Sequence, residues 1–254
     1  MVDGTMADEE GGVIEISPQE DKGLRRAYDR LCDFSHKEKI RKEIHALRAR
    51  LEVLSAPPQS KQAKVLVNDA STRLEEDRLT REVRDLEQEV SRIENNPDKK
   101  IKVVDVWEHL KFLGKRCSRK EVTDIVWEVD ENLDGAIDWE EFRLMFFRNI
   151  NDNTGLEPAK LYNMVQFMLY DVDNNVNVSV DETMNMLYAR YGRAKMEAKL
   201  KELFGEGMRE TGTQGGEIDF LQYLEAVERT QFSTFLQSSA GRAQLAKTGR
   251  KMKP

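Results

Sequence analysis

The segment that most constrains this 254-residue chain is a run of twelve, DENLDGAIDWEE, at residues 130–141. Oxygen-bearing side chains stand at its first, third and fifth places (Asp130, Asn132, Asp134), glycine at the sixth (Gly135), a hydrophobe at the eighth (Ile137), and acids at the ninth and twelfth (Asp138, Glu141). A tight turn through such a run aims alternate side chains at one point. The three short side chains, the main-chain carbonyl of Ala136, Asp138 directly or through a water, and both oxygens of the longer Glu141 would surround a hard cation such as Ca2+. Such an ion takes six to eight oxygens at about 2.3–2.6 Å. Gly135 permits the positive φ of the turn. The flanks read as helices. A capping box from Ser118 to Glu121 opens an apolar face of Val122, Ile125, Val126 and Val129, and Phe142, Met145 and Phe146 continue beyond the loop.

The pattern repeats. Residues 171–182, DVDNNVNVSVDE, place Asp171, Asp173, Asn175, Ser179 and Glu182 at the first, third, fifth, ninth and twelfth positions, with the carbonyl of Asn177 at the seventh and Val178 at the eighth. Val176 stands where the first run has glycine. A β-branched residue at positive φ costs on the order of 1–3 kcal/mol, so this second loop is expected to bind more weakly, by roughly tenfold or more. Two further loops extend the repeat, at 94–105 (ENNPDKKIKVVD) and 211–222 (TGTQGGEIDFLQ). The first is crowded by Lys99, Lys100 and Lys102, and the second has Gln222 in place of the terminal Glu, so neither is expected to hold an ion. Loop starts at 94, 130, 171 and 211 are 36, 41 and 40 residues apart.

These helix–loop–helix units resemble the EF-hands of the calmodulin superfamily, over roughly residues 94–235. The resemblance implies an all-α fold of two lobes, each a pair of EF-hands joined by a short two-strand contact at the eighth loop position. Ile101 would then lie beside Ile137 and Val178 beside Ile218. It also implies Ca2+ as cofactor, and a partner helix or a larger protein assembly as binding target.

A helical region is expected ahead of the lobes. Ile40, Ile44, Leu47, Leu51 and Leu54 form one heptad-like seam, entered by Ser35 and Glu38 as a capping box and ended by Pro57-Pro58. Leu79, Val83, Leu86, Val90 and Ile93 form a second. Each is short for a coiled coil, and an antiparallel hairpin or packing on a partner fits equally well. The expected division is an acidic disordered tail at 1–21, the helical or coiled-coil segment and linker at 22–70, lobes at 71–150 and 151–236, and a basic tail at 237–254.

Composition narrows the function. The first 21 residues carry seven acids and no base, unlike a signal peptide, and no lipidation motif is read at either end. The longest uncharged apolar-rich stretch, Leu161 to Tyr170, is too short for a membrane span. A net charge of −7 argues against general nucleic-acid binding, although the basic tail could meet an acidic surface. Cys32 and Cys117 alone build no disulfide scaffold, and a cytoplasmic setting is the expectation. His36, His45 and His109 are expected on solvated helix faces, and no hydrolase, nucleotide-binding or zinc motif is present, so the chain does not read as an enzyme. Seven of the ten methionines lie between Met145 and Met208 and suit either core filling or an adaptable groove. Two functions follow: a calcium-responsive binding protein, or a calcium-independent structural adaptor in a cytoskeletal or ciliary assembly.

Overall fold

The computed structural model describes residues 13–55, 70–152, 154–205 and 216–237. Most of the acidic tail, the stop at Pro57-Pro58 with most of its linker, the opening of the loop at 211–222 and nearly all of the basic tail lie outside the described residues. Among the described residues there are nine α-helices and two two-stranded sheets, so the fold is all-α.

Ser17, Pro18 and Glu20 start the first helix, α1 (Pro18–Leu31). Ser17 Oγ accepts the Glu20 N–H at 3.3 Å, Glu20 Oε2 accepts the Ser17 N–H at 3.0 Å, and proline at the first helical position gives up no needed donor. The helix therefore begins inside the stretch expected to be an acidic tail, and Glu20 is buried. Leu24, Ala27, Tyr28 and Leu31 form its buried stripe. A residue at positive φ, Asp33, breaks the chain before α2 (Phe34–Ser55). Ser35, expected to cap this helix, lies inside it and gives its N–H to Asp105 Oδ1 at 2.9 Å. Tertiary packing sets the start two residues earlier: Phe34 is buried edge-on against His109 and Phe112.

Helices α2 and α3 (Ala70–Glu94) pack as a hairpin. Ile40, Ile44 and Leu47 meet Leu79 and Val83, with Leu51, Leu54, Leu86, Val90 and Ile93 half-buried around them. Of the arrangements open to the two seams, the antiparallel hairpin is the one adopted, as the cross-pairs His36–Glu89, Arg48–Glu87 and Arg50–Glu75 show. Those pairs are exposed and each contributes about 0–1 kcal/mol; the apolar seam holds the arms.

The first lobe continues through β1 (Ile101–Lys102), α4 (Val103–Phe112), α5 (Arg119–Trp127), β2 (Ala136–Ile137) and α6 (Trp139–Ile150). The second is α7 (Ala159–Tyr170), β3 (Asn177–Ser179), α8 (Val180–Phe204), β4 (Glu217–Asp219) and α9 (Phe220–Gln237). Helix α8 is kinked at Gly192, whose φ of 67° and ψ of 176° leave the helical region. The strands pair antiparallel with Ile101 opposite Ile137 and Val178 opposite Ile218, the register expected from the loop repeat. Ile101, Ile137 and Val178 are fully buried, so each strand contact is also a core contact.

Both lobes share one core with α1. Leu24, Tyr28 and Leu31 belong to the same buried cluster as Phe142 and Phe146 of the first lobe and Met164, Phe167 and Phe220 of the second. The N-terminal helix is thus part of the body rather than a leader preceding it. Met145, Met164, Met168 and Met186 are buried in this cluster, which places them as core filler. His109 departs from its expected solvated face: its helix turns it inward, where neither ring nitrogen has a hydrogen-bond partner. Burial first, and the Arg30 charge second, depress its pKa to about 3.

Candidate metal centre

The first loop is closed by its own side chains. Asp130 accepts the Asp134 N–H (3.2 Å) and the Gly135 N–H (2.8 Å), and Asn132 Oδ1 accepts the Asp134 N–H at 2.9 Å. Asp134 accepts the Ala136 N–H at 3.0 Å. Asp138 caps α6 by accepting the Glu141 N–H at 3.0 Å. Glu141 reaches back across the loop: Oε1 accepts the N–H groups of Glu131 (3.0 Å) and Asn132 (3.1 Å), and Oε2 accepts that of Asp138 at 3.0 Å. Gly135 takes a φ of 86°. Asp130 and Glu141 are buried, whereas Asn132 and Asp134 are exposed. Lys100, from the facing lysine-rich loop, pairs with Asp134 and lies 3.8 Å from Asp138. Its hydrogen bond holds the Asp134 carboxyl below its ordinary pKa.

The second loop has the same internal pattern. Asp171 accepts the N–H of Asn175 (3.0 Å) and of Val176 (3.3 Å), Asp173 that of Asn175 (3.0 Å), and Asn175 that of Asn177 (2.7 Å). Glu182 accepts the N–H groups of Val172 (3.1 Å) and Ser179 (3.0 Å), and Ser179 caps α8. Val176 does adopt positive φ, at 72°. Asp171, Asp173 and Glu182 bring donor atoms within 4.8 Å of one another, and among the described residues this is the one such cluster of three or more acids, histidines or cysteines. The sequence ranks the first loop above the second. The three-carboxylate cluster nevertheless lies in the second loop, where Asp173 occupies the third position that Asn132 fills in the first.

All these donors are oxygens, carried on two similar loops whose main-chain N–H groups already hold the carboxylates inward. That set suits a hard divalent ion with flexible coordination, and Ca2+ better than the strictly octahedral Mg2+. Asp130, Asn132, Asp134, Asp138, Glu141 and the carbonyl of Ala136, with their counterparts Asp171, Asp173, Asn175, Ser179, Glu182 and Asn177, are the candidate residues that would hold it.

Sequence reasoning missed the cations that α1 brings to the second loop. Arg30 lies 3.9 Å from Asp171 Oδ2 and hydrogen-bonds the Asn174 side chain. Burial pushes the Asp171 carboxyl pKa up, and Arg30 opposes that. Arg26 donates to the carbonyl oxygens of Met168 (2.9 Å) and Val172 (3.4 Å). The Ser17-Pro-Gln-Glu20 capping signature, with Leu24, Ala27, Tyr28 and Leu31 at helical spacing, was the local signal that this stretch is a helix.

Residues 100–149 match the family described as an EF-hand domain pair. That segment therefore carries an EF-hand pair. It is similar to the Arabidopsis thaliana protein named "Probable calcium-binding protein CML25", with 28% identity over 142 residues, 56% of this chain and 72% of that protein. It is also similar to "Calcium-binding protein CML19" of the same plant, at 23% identity over 48% of this chain and 69% of that protein. "Probable calcium-binding protein CML13" of Oryza sativa subsp. japonica is 24% identical over 48% of this chain and 68% of its own length. The family match covers one EF-hand pair; the strand register extends the same architecture to the second.

Proposed function

We propose that this EF-hand protein binds Ca2+ at 130–141 and 171–182 and engages protein partners in a calcium-responsive way. The relatives it resembles carry calcium-binding names, and the reading is of a binding protein rather than an enzyme. The observation that carries the reading is the placement of Glu141 and Glu182. Each sits in the first turn of an exiting helix, and its carboxylate hydrogen-bonds N–H groups at both ends of its loop.

When bound, Ca2+ supplies a compact double charge that lets several carboxylates share one point without mutual repulsion. Asp130, Asp134 and Glu141 in one loop, and Asp171, Asp173 and Glu182 in the other, provide that charge balance. Because Glu141 is fixed to α6, a change in its carboxylate contacts is transmitted to Phe142 and Trp139, which pack on Tyr28 of α1. Loop state is thereby linked to the shared core. Phe112, Trp127, Tyr188 and Leu221 are exposed apolar residues from which a partner contact could be built.

One observation favours the second reading, a calcium-independent structural adaptor in a cytoskeletal or ciliary assembly. The α2–α3 hairpin has an apolar cluster of its own, separate from the lobes, and long charged outer faces. Such an arm suits docking irrespective of loop state. On either reading we propose a cytoplasmic setting. None of the described helices is long and apolar enough to cross a membrane.

Titration with micromolar calcium tests the proposal. Trp139 emission should change as the ion binds, and Glu141→Gln should remove most of the first-loop response. Flat emission, stability and apolar-dye binding would overturn the calcium-responsive reading. Partner capture that is equal in calcium and in chelator would support the adaptor.

A further inference from the structure

Helix α1 is held by polar contacts on three sides. Glu20 forms a buried ion pair with Arg190 of α8, the exiting helix of the second loop. Asp21 meets Arg143 of α6, the exiting helix of the first loop, at 3.0 Å. Tyr28 Oη donates to the Lys99 carbonyl at 2.7 Å. On the remaining side Arg26 and Arg30 cover the start of loop 171–182. Arg26 takes the last carbonyls of the entering helix α7, and Arg30 faces Asp171, whose side chain is 1% exposed.

We propose that α1 is a calcium-antagonised latch, in which Arg30 serves as the resident counter-cation of Asp171. Docked α1 and a cation in loop 171–182 then oppose each other. The inference rests on the reading that this loop takes calcium. A guanidinium about 4 Å from a buried carboxylate satisfies much of its charge and repels a second cation arriving at the same group. Coupling between two sites is reciprocal: if docked α1 weakens calcium binding, calcium weakens α1 docking by the same factor. Lys100 in the first loop is a contrast. Its half-exposed side chain comes from a loop and can leave Asp134 without displacing a helix, whereas Arg30 is only 18% exposed and is carried on α1. Calcium antagonism by Lys100 is thus local, and antagonism by Arg30 reaches the whole of α1 and the two exiting helices it joins.

Two measurements on the full chain test this. The first is calorimetric calcium titration in the Glu141→Gln background, where only the second loop contributes. Adding Arg30→Gln should tighten binding about tenfold, a difference of about 1.4 kcal/mol, while Arg30→Lys, which keeps the charge, should stay within about threefold of the parent, a difference under that same decade. The second is amide hydrogen exchange over residues 18–31, in calcium against chelator. Exchange in α1 should quicken about tenfold with calcium in the unmodified protein, the same factor by reciprocity, and should not respond in Glu182→Gln. Equal calcium affinity with and without Arg30→Gln, or α1 exchange indifferent to calcium while the loop binds it, would overturn the latch and leave the calcium site standing. Absence of any calcium binding at 171–182, with or without Arg30, would overturn the functional reading of that loop and the latch with it. If Arg30→Gln does not fold, the exchange comparison between the unmodified chain and Glu182→Gln decides alone.

Discussion

Position six of the two candidate loops provides a matched pair of backbone environments. Gly135 has a φ of 86° and Val176 a φ of 72°. A Cβ added to Gly135 would meet nothing within 4 Å, so steric collision does not contribute to the cost of a larger residue there. What remains is conformational: a β-branched residue held at positive φ costs about 1–3 kcal/mol. Replacing glycine also removes freedom from the unfolded chain, which returns roughly 0.5–1 kcal/mol. Gly135→Val is therefore expected to cost up to about 2.5 kcal/mol in total, with a central value of about 1.3 kcal/mol. Urea unfolding without calcium reads the share borne by the metal-free protein, and calcium titration of the first loop reads the share that appears only on binding. If the apo loop relaxes away from positive φ, the cost falls on affinity, which drops by about tenfold or slightly more. If the loop is held by its Asp130 and Asn132 hydrogen bonds, the cost falls on stability and the affinity is kept. A variant as stable as its parent that also binds calcium within about twofold would refute the strain argument, and with it the explanation of why the second loop should be the weaker.

Lys100→Ala should tighten calcium at the first loop by about threefold at low salt, with the difference shrinking as ionic strength rises, because exposed charges are screened; unchanged affinity would show that the lysine already points elsewhere when the ion arrives. His109, buried and unpaired, has a folded-state pKa near 3 against an ordinary value of 6.5. The unfolded chain takes the proton first, so the stability it contributes is complete above about pH 6.5 and is lost as pH falls from there towards 3, at up to about 1.4 kcal/mol per unit. His109→Leu should flatten that part of the acid-unfolding curve, and an unaltered slope would place the titration elsewhere. Arg190→Met leaves Glu20 buried without its counter-ion, held only by its Ser17 hydrogen bonds, and should cost about 3–5 kcal/mol, read by urea unfolding; the double variant with Glu20→Gln should recover part of it.

Both loops, the strand register and the apolar faces of the flanking helices were legible because each depends on neighbours close in sequence. Alternate oxygens in DENLDGAIDWEE converge through local turn geometry, and Ile101, Ile137, Val178 and Ile218 pair because a fixed loop length puts the eighth residue at the contact. The seams Ile40 to Leu54 and Leu79 to Ile93 were legible as helix faces, yet not as a hairpin, since periodicity carries no information about what a face packs on. His109 was misplaced for a related reason. Lys and Glu neighbours suggest solvent, but the side actually turned inward was selected by Phe34 arriving from another helix.

Local spacing thus determined what kind of ion the chain is built to hold and which residues converge on it. Tertiary structure decided that a helix starting in the last four residues of the acidic stretch, Pro18–Leu31, is a core helix, that Glu20 finds Arg190 some 170 residues away, and that Arg30 faces Asp171. Those pairings are charge contacts between segments distant in sequence. They exist only because the burial of Leu24, Tyr28 and Leu31 brings α1 against both lobes, and no short-range pattern encodes where an apolar stripe will dock.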